Sequence, residues 1–335
     1  MLRVGVIGCG GMGKDHIKRL TQKTQGAEVV AVCDVFEESA KAAAAICGAK
    51  VYTDEKQLIN DPDVDAVFVV TPGFAHKDAL LEAIRAGKRI FCEKPLCKTA
   101  EECLEVVKAE VESGKHLIQL GFMRRYDKGY QQVKECLKSG EYGEPLVLHC
   151  THRNPSVPDS YDTRMAVDDT AIHEIDVLHW LTDDDYVSAQ VIMPRVTKYA
   201  HKGLQDPQIM LLRTKKGIVI EVEVFVACNF GYDINCEVVC EDGVVKMPMP
   251  AYPYIRKNAS YSTTIDTDCF VRFKDAYDQE VQDWVDAADK GVINGPNAWD
   301  GYLAAITADA LVKAQTSGAI EKIEASVEKP AFYNS

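Results

Sequence analysis

The amino-acid sequence predicts two domains: a doubly wound parallel α/β domain, then an α+β domain with a large, mostly antiparallel sheet. Over about the first 120 residues, short apolar runs alternate with segments of helical length, which is typical of parallel strands covered on both faces. From about residue 145, longer segments alternate apolar with polar residues, as strands with one buried face do. We place the domain boundary between residues 122 and 123 of the 335-residue chain.

The first domain is predicted to contain five parallel strands and four crossover helices. The strands are the apolar runs at residues 2–7, 28–33, 66–70, 89–91 and 117–121. The helices are the amphipathic segments near residues 13–24, 36–47, 75–86 and 99–113. Thr99 is followed by Glu101 and Glu102, which predicts a helix N-cap, and Gly114 suits a left-handed C-cap.

The second domain is predicted to form its sheet from six alternating segments. These are residues 146–152, 188–193, 208–213, 218–226, 234–240 and 243–247. The turns at residues 214–217 and 241–243 separate two pairs of these strands and predict hairpins. Helices near residues 270–290 and 297–317 follow, and we expect the last one to pack back on the first domain.

Composition excludes several classes of function. The net charge of −13 argues against nucleic acid or an anionic membrane as a partner, because both require a basic face. The twelve cysteines form no C-x-x-C pair, and we expect neither a disulfide framework nor a bound metal. There is no apolar run long enough to span a membrane and no secretory leader, so we expect a cytoplasmic protein.

A glycine-rich turn directly follows the first predicted strand and opens the first helix. In the pattern Gly8-x-Gly10-Gly11-Met12-Gly13, the first glycine permits the tight turn and the second allows a pyrophosphate to approach the backbone. The third glycine lets the helix pack on the strand, and the helix N-terminus attracts the phosphates. Strand, glycine turn and helix together predict a dinucleotide site.

The second strand is predicted to end at Asp34, where an acidic side chain can accept hydrogen bonds from the adenosine ribose hydroxyls. Such a carboxylate repels a 2′-phosphate, and the next residues are Val35 and Phe36 rather than arginine or lysine. The sequence therefore favours NAD over NADP. The alternative is that Asp34 only caps the next helix.

Two further loops lie at the carboxyl ends of predicted strands, where open α/β sheets bind ligands. They are Thr71-Pro72-Gly73 and Glu93-Lys94-Pro95. We predict that the cofactor contacts Gly8, Gly10, Gly11, Met12, Gly13, Asp34, Thr71, His76, Glu93 and Lys94.

Oxidation of an alcohol by NAD requires a base for the hydroxyl proton and a group that stabilises the developing alkoxide. Lys94 is the candidate for the second role, the alternative being an ordinary surface lysine. Asp169 and His173 are four residues apart in a segment with helical apolar spacing, so they are predicted to be neighbours on one helix. We assign His173 as the base and expect Asp169 to orient His173, Lys94 or both. The alternative is that Asp169 caps the helix and His173 is a core histidine. The sequence does not predict a zinc site, because His173 and His179 do not have the spacing of the H-E-x-x-H motif.

These motifs together resemble the glucose–fructose oxidoreductase / inositol dehydrogenase family, and within it the bacterial inositol 2-dehydrogenases. The resemblance covers nearly the whole chain. Its general marks are residues 8–13 and 93–95. The marks closer to inositol dehydrogenases are residues 121–127, 152–155, 169–176 and 295–302.

The resemblance implies a Rossmann domain, and a second domain whose open-faced sheet mediates formation of a homotetramer. It implies that Lys94, Asp169 and His173 form the catalytic trio of an NAD-dependent enzyme of inositol catabolism. That enzyme would oxidise a ring hydroxyl of an inositol to the ketone. Substrate-binding residues implied by it are Arg124, Asn154, Asp169, His173 and Tyr232. It also implies a cis peptide before Pro95.

Two other functions remain open at this point. One is an NAD-dependent dehydrogenase of a glucose-like pyranose, which would use the same trio. The other is a catalytically silent NAD-binding sensor, which would be expected to lose the lysine or the histidine.

Overall fold

A computed structural model describes residues 1–334 of the chain and shows a parallel sheet of six strands in the N-terminal half. The strands are β1 (Leu2–Ile7), β2 (Ala27–Cys33), β3 (Lys50–Tyr52), β4 (Ala66–Val69), β5 (Arg89–Glu93) and β6 (Ile118–Gly121). Their order is β3-β2-β1-β4-β5-β6, and every neighbouring pair is parallel. The predicted doubly wound sheet is confirmed, and its strand order reverses between β1 and β4.

Five helices lie between these strands. They are α1 (Gly11–Gln22), α2 (Glu37–Cys47), α3 (Glu55–Ile59), α4 (His76–Arg85) and α5 (Ala100–Ser113). Both predicted caps of α5 are confirmed, because Thr99 accepts a hydrogen bond from the Glu102 N–H and Gly114 has a φ of 67°. The sequence did not predict β3 or α3, since elements of three and five residues carry too few apolar positions to show a period.

The C-terminal half contains a second sheet, of seven strands. They are β7 (Pro145–Arg153), β8 (Tyr186–Ile192), β9 (Gln208–Thr214), β10 (Val219–Phe225), β11 (Asp233–Cys240), β12 (Val244–Lys246) and β15 (Glu321–Lys322). Their order is β12-β11-β7-β10-β9-β8-β15, and only the β7–β10 pair is parallel. The mostly antiparallel sheet and both predicted hairpins are confirmed. A separate hairpin joins β13 (Ile255–Lys257) to β14 (Ser260–Ser262).

The second sheet buries one face and leaves the other partly accessible. Buried residues alternate with half-buried ones along β10 and β11. On the accessible face, Arg153 donates to Glu223 at 2.7 and 2.8 Å and to Asp233 at 2.8 Å across three neighbouring strands. This accessible face is therefore polar, and these charged side chains are paired with one another within the chain.

The remaining helices are α6 (Lys128–Ser139), α7 (Ile172–Thr182), α8 (Cys269–Arg272), α9 (Lys274–Asp289) and α10 (Ala298–Ser317). The prediction of one helix over residues 270–290 is wrong in part, because the chain breaks at the fully buried Phe273 between α8 and α9. The sequence did not predict α6, whose buried face carries only Tyr130 and Val133 as large apolar residues.

The chain divides into two compact units. The first unit comprises Met1–Met123, Tyr277–Ile306 and the segment that begins at Ala325; the second comprises Arg124–Ala276 and Thr307–Glu324. The first part of α10 thus belongs to the first unit. The proposed boundary between residues 122 and 123 stays a prediction. Within residues 1–334, no helix combines the length and the apolar character needed to cross a membrane.

An aromatic cluster lies at the centre of the first unit. The rings of Phe68 on β4 and Phe91 on β5 stack with centroids 4.5 Å apart, and Trp284 on α9 packs edge-on to Phe68 at 4.9 Å. Trp284 is fully buried, and its indole N–H donates to the Ile90 carbonyl at 3.3 Å. The cluster therefore fixes α9 on the parallel sheet through both packing and a hydrogen bond.

Replacing Trp284 with alanine should lower the free energy of unfolding of the first unit by about 3–5 kcal/mol, because the change opens a large cavity. Urea unfolding followed by circular dichroism measures this loss. Asp289→Ala, at the exposed end of the same helix, should change the free energy by less than about 0.5 kcal/mol. A loss below about 1 kcal/mol for Trp284→Ala would contradict the packing described here.

Candidate active site

The turn between β1 and α1 is closed by two glycines that tolerate no side chain. A Cβ at Gly13 would lie 2.0 Å from the Gly8 carbonyl oxygen, and Gly8 has a φ of 98°. At Gly10 and Gly11, by contrast, an added Cβ would meet no atom within 4 Å. The helix begins at Gly11 with no capping side chain and no acidic residue in its first turn, while Met12 packs partly on the core. The N–H groups at the start of α1 and the positive end of this helix therefore fit a pyrophosphate.

Asp34 lies beside the glycine turn, immediately after β2. Its Oδ2 accepts a hydrogen bond from the Cys9 N–H at 2.8 Å, and its Oδ1 accepts one from the Phe36 N–H at 2.9 Å. The N-cap residue of α2 is Phe36, so the bond from the Phe36 N–H to Asp34 leaves open the alternative that Asp34 only caps this helix. That this carboxylate receives the ribose hydroxyls and repels a 2′-phosphate stays a prediction.

His76 joins the loops that follow β4 and β5. Its ring nitrogens lie 2.6 Å from the Thr71 carbonyl oxygen and 2.8 Å from the Pro95 carbonyl oxygen, and the side chain is fully buried. Burial lowers the pKa of His76 and outweighs the contacts with the Thr71 and Pro95 carbonyls, which act in the opposite direction. The buried Thr71 hydroxyl oxygen has no hydrogen-bond partner within residues 1–334, so it is available to a bound ligand. His76 thus supports the loop that presents Thr71, and its contact with the cofactor stays a prediction.

Glu93 ends β5, and Lys94 follows it in a half-buried position. The Glu93 carboxylate is turned inward, where it lies 2.7 Å from the Nε2 atom of His16 and accepts the Lys94 backbone N–H at 3.2 Å. The peptide between Lys94 and Pro95 is cis, as the resemblance implies. Lys94 thus lies half-buried at the carboxyl edge of the parallel sheet, and its role in place of an ordinary surface lysine stays a prediction.

Asp169 and His173 do not lie on one α-helix, contrary to the prediction. Residues Ala166–Ala171 form a π-helix, and α7 begins only at Ile172. A π-helix is a rare, wider turn that is frequent at functional sites. Asp169 is exposed and His173 is half-buried, so both are accessible. Asp169 lies inside the π-helix, and the N-cap residues are Met165 for the π-helix and Ala171 for α7, so Asp169 is the N-cap residue of neither.

Arg124 belongs to a buried ion cluster of the second unit. Its Nη1 donates to Glu174, its Nη2 lies 3.0 Å from His152 Nδ1, and Glu174 Oε2 lies 2.8 Å from the same histidine nitrogen. Arg124 and Glu174 are only 1 % and 2 % exposed. The Tyr232 ring packs edge-on to His152 with centroids 5.7 Å apart, and burial raises the pKa of Tyr232 to about 12. The structure therefore brings together Arg124 and Tyr232, two of the predicted substrate-binding residues.

Several buried polar atoms in this unit have no hydrogen-bond partner within the part of the chain that the structure describes, and two of them concern the predicted substrate site. They are Arg124 Nε, a donor, and Asn154 Oδ1, an acceptor. The Asn154 backbone N–H donates to the Phe225 carbonyl at 2.9 Å, which fixes this residue at the end of β10. Since a hydroxyl group both donates and accepts, such atoms suit a ligand rich in hydroxyl groups.

Three ionisable residues of these networks were not predicted from the sequence: His16, His152 and Glu174. For His16 and Glu174 the available signal was an ionisable residue on an apolar helix face, whereas His152 lies on the strand β7. Glu174 lies between Ile172 and Ile175, and His16 shares the buried face of α1. That signal indicates burial but not the partner, so it could not assign a role.

Comparison with known proteins agrees with this architecture. Residues 2–122 match a family described as an oxidoreductase family with an NAD-binding Rossmann fold, and residues 130–246 match the GFO/IDH/MocA C-terminal domain. The chain is 53 % identical over 334 residues to the inositol 2-dehydrogenase of Ralstonia nicotianae, and 51 % identical over 335 residues to that of Pseudomonas savastanoi pv. phaseolicola. Each alignment covers 99 % of both chains.

Among solved structures, the chain is similar to myo-inositol dehydrogenase from Lactobacillus casei in complex with NAD(H) and myo-inositol. The TM-score is 0.97 at 45 % identity, and the match covers 99 % of each chain. The scyllo-inositol dehydrogenase of the same organism has a TM-score of 0.89 at 23 % identity, a likeness that shows the fold alone.

The residues beside the glycine turn fit NAD, and Asp34→Ser tests the basis of that preference. The change should weaken NAD binding roughly 10- to 100-fold through loss of charge-assisted hydrogen bonds and should relax discrimination against NADP. Initial-rate kinetics with each cofactor measures both effects. Glu38→Ser, on the exposed surface of α2, should change neither NAD binding nor the discrimination against NADP. An unchanged NAD preference in Asp34→Ser would remove Asp34 from the cofactor site.

Proposed function

The chain belongs to the GFO/IDH/MocA oxidoreductase family, and on this basis we propose that it oxidises a ring hydroxyl of an inositol to the ketone with NAD. The observation that carries the proposal is that two buried polar atoms, Arg124 Nε and Asn154 Oδ1, have no hydrogen-bond partner within residues 1–334, and that Arg124 belongs to the cluster that holds Tyr232. Together they offer a donor, an acceptor and a phenol to neighbouring hydroxyls of a polyol. Bound NAD supplies the acceptor for the hydride that leaves the ring carbon.

In this proposal, Arg124 and Asn154 orient the ring and select the hydroxyl that reacts. Arg124 is well suited to orientation, because Glu174 and His152 hold its guanidinium and its own motion is restricted. A fixed donor loses little conformational freedom when the substrate binds. The same cluster stacks Arg124 on Phe273, with the guanidinium carbon 5.2 Å from the ring centre.

The proton of the reacting hydroxyl passes to His173, the general base of the proposal. Its half-buried position on α7 permits contact with both ligand and protein. Asp169, on the preceding π-helix, stabilises the imidazolium as it forms or orients Lys94. The Lys94 ammonium donates to the substrate oxygen and lowers the energy of the alkoxide before the hydride leaves.

We further propose that the protein is a cytoplasmic homotetramer that acts in inositol catabolism. A tetramer is supported by the accessible face of the second sheet. Across that face, Arg153 is paired with Glu223 and Asp233 within the chain, so burying the face would leave none of these three charges unpaired. Light scattering on the purified protein distinguishes a tetramer from a monomer.

A substrate panel tests the activity and names the isomer. Purified protein with NAD is assayed for NADH formation on myo-, scyllo- and D-chiro-inositol, glucose and xylose. We expect kcat/KM for one inositol to exceed that for either sugar by at least about tenfold, a difference of about 1.4 kcal/mol in transition-state binding. Turnover on the sugars alone would make the protein a pyranose dehydrogenase. NAD binding without any turnover would make it a sensor.

Lys94→Ala should lower kcat roughly 100- to 1,000-fold, because it removes a charged donor to the developing alkoxide. NAD binding, measured by fluorescence titration, should change far less than kcat. Lys98→Ala is the matched control, since this exposed lysine lies on the same loop. Near-normal turnover by Lys94→Ala would refute the role assigned to Lys94.

A further inference from the structure

A buried chain of hydrogen-bonded side chains runs from α1 to the Lys94 loop, and the proposed chemistry does not use it. It comprises Glu93, His16, Arg19 and the carboxylates of Asp15 and Asp278. Glu93, His16 and Arg19 are 6 %, 0 % and 7 % exposed. Arg19 donates to Asp278 at 2.8 Å and to Asp15 at 2.7 Å. Burial of so many ionisable groups is costly unless each is paired, so the arrangement calls for a functional reason.

The partners of His16 indicate which of its two ring nitrogens donates and which accepts. Arg19 Nη1 lies 3.4 Å from His16 Nδ1, and a guanidinium can only donate, so Nδ1 must be the acceptor of the ring. The proton is therefore on Nε2, which donates to Glu93 Oε1 at 2.7 Å. The His16 ring therefore links the Arg19 guanidinium on one side to the Glu93 carboxylate on the other.

The Glu93 carboxylate is held from several directions. Its second oxygen accepts the backbone N–H of Lys94 at 3.2 Å. On the neighbouring strand β6, an added Cβ at Gly121 would lie 3.1 Å from this carboxylate, so the missing side chain makes room for it. Phe68 and Phe91 each pack edge-on to the His16 ring at 5.5 Å, which fixes the donor as well.

We propose that His16 is a positioning residue for catalysis: by holding Glu93, it fixes the backbone of Lys94 and hence the direction of the Lys94 ammonium. The inference rests on the proposed function, which assigns that ammonium to the alkoxide. Its physical basis is that α1 begins at the glycine turn and carries His16 in its second turn. One rigid helix therefore presents its N-terminus to the cofactor and fixes the loop that bears Lys94.

A matched pair of substitutions at His16 tests the proposal. His16→Gln places an amide N–H close to the position of Nε2 and can still donate to Glu93. His16→Asn is equally polar, but its shorter side chain ends near the position of Nδ1 and cannot reach Glu93. We expect kcat to stay within about threefold of the parent in His16→Gln and to fall roughly 10- to 100-fold in His16→Asn, as expected when a reacting group is misplaced by about 1 Å.

Two further measurements, of NAD affinity and of melting temperature, separate positioning from stability. NAD affinity and melting temperature should be similar in the two His16 variants, whereas kcat should differ. Equal kcat in both variants, or a fall in kcat that follows melting temperature, would overturn the proposal. If Lys94→Ala retains turnover, the proposed function itself fails; if Lys94→Ala is inactive and His16→Asn is not, only the inference about His16 fails.

Glu93→Gln provides a second test that does not depend on the folding of His16→Asn. It keeps the shape of the side chain but has one acceptor oxygen, whereas His16 and the Lys94 N–H are two donors. One of the two bonds must be lost, so kcat should fall about tenfold or more while the fold is kept. Full kcat in a folded Glu93→Gln protein would also overturn the proposal.

Discussion

The close approach of α1 to β1 is the constraint on which the first unit depends. With a Cβ position only 2.0 Å from the Gly8 carbonyl oxygen, residue 13 can be nothing but glycine without displacing the helix. Once the helix lies in this position, its N-terminus is at the carboxyl edge of the sheet and its buried face brings His16 onto Phe68 and Phe91. The phosphate site, the aromatic core and the support for Glu93 are therefore consequences of a single steric requirement.

The second unit depends on paired charges rather than on a steric limit. Three ion pairs tie the segment 124–127 to its surroundings: Arg124 with Glu174, Arg125 with Asp176, and Asp127 with Arg272. Glu174 and Asp176 both lie on α7, so the helix that carries His173 is held by two arginines from one short segment. Removing one member of a buried pair lowers the free energy of unfolding by about 3–5 kcal/mol, so the position of α7 is sensitive to these pairs. It suits a site in which a base must keep its position.

The proposed chemistry is divided between the two units. The first unit offers an uncapped helix N-terminus, a carboxylate at the end of β2 and a half-buried ammonium, which are the groups that a dinucleotide and an alkoxide require. The second offers an accessible histidine, together with a buried donor and a buried acceptor that have no protein partner within residues 1–334. In this proposal, the first unit binds the cofactor, and side chains of the second unit select the hydroxyl.

The sequence by itself determined the parallel sheet, the glycine turn, Asp34 and the two hairpins, because each follows from a local period or a local turn. Tertiary structure alone decided the rest. Local pattern treats Asp169 and His173 as neighbours on one α-helix, yet the chain forms a π-helix at Ala166–Ala171. Local pattern also assigns His16 and Glu174 simply to buried helix faces. Their roles come from Glu93, 77 residues away, and from Arg124, 50 residues away. Pairings between residues so distant leave no periodic trace in the sequence, since they form only when separate strands and helices pack together.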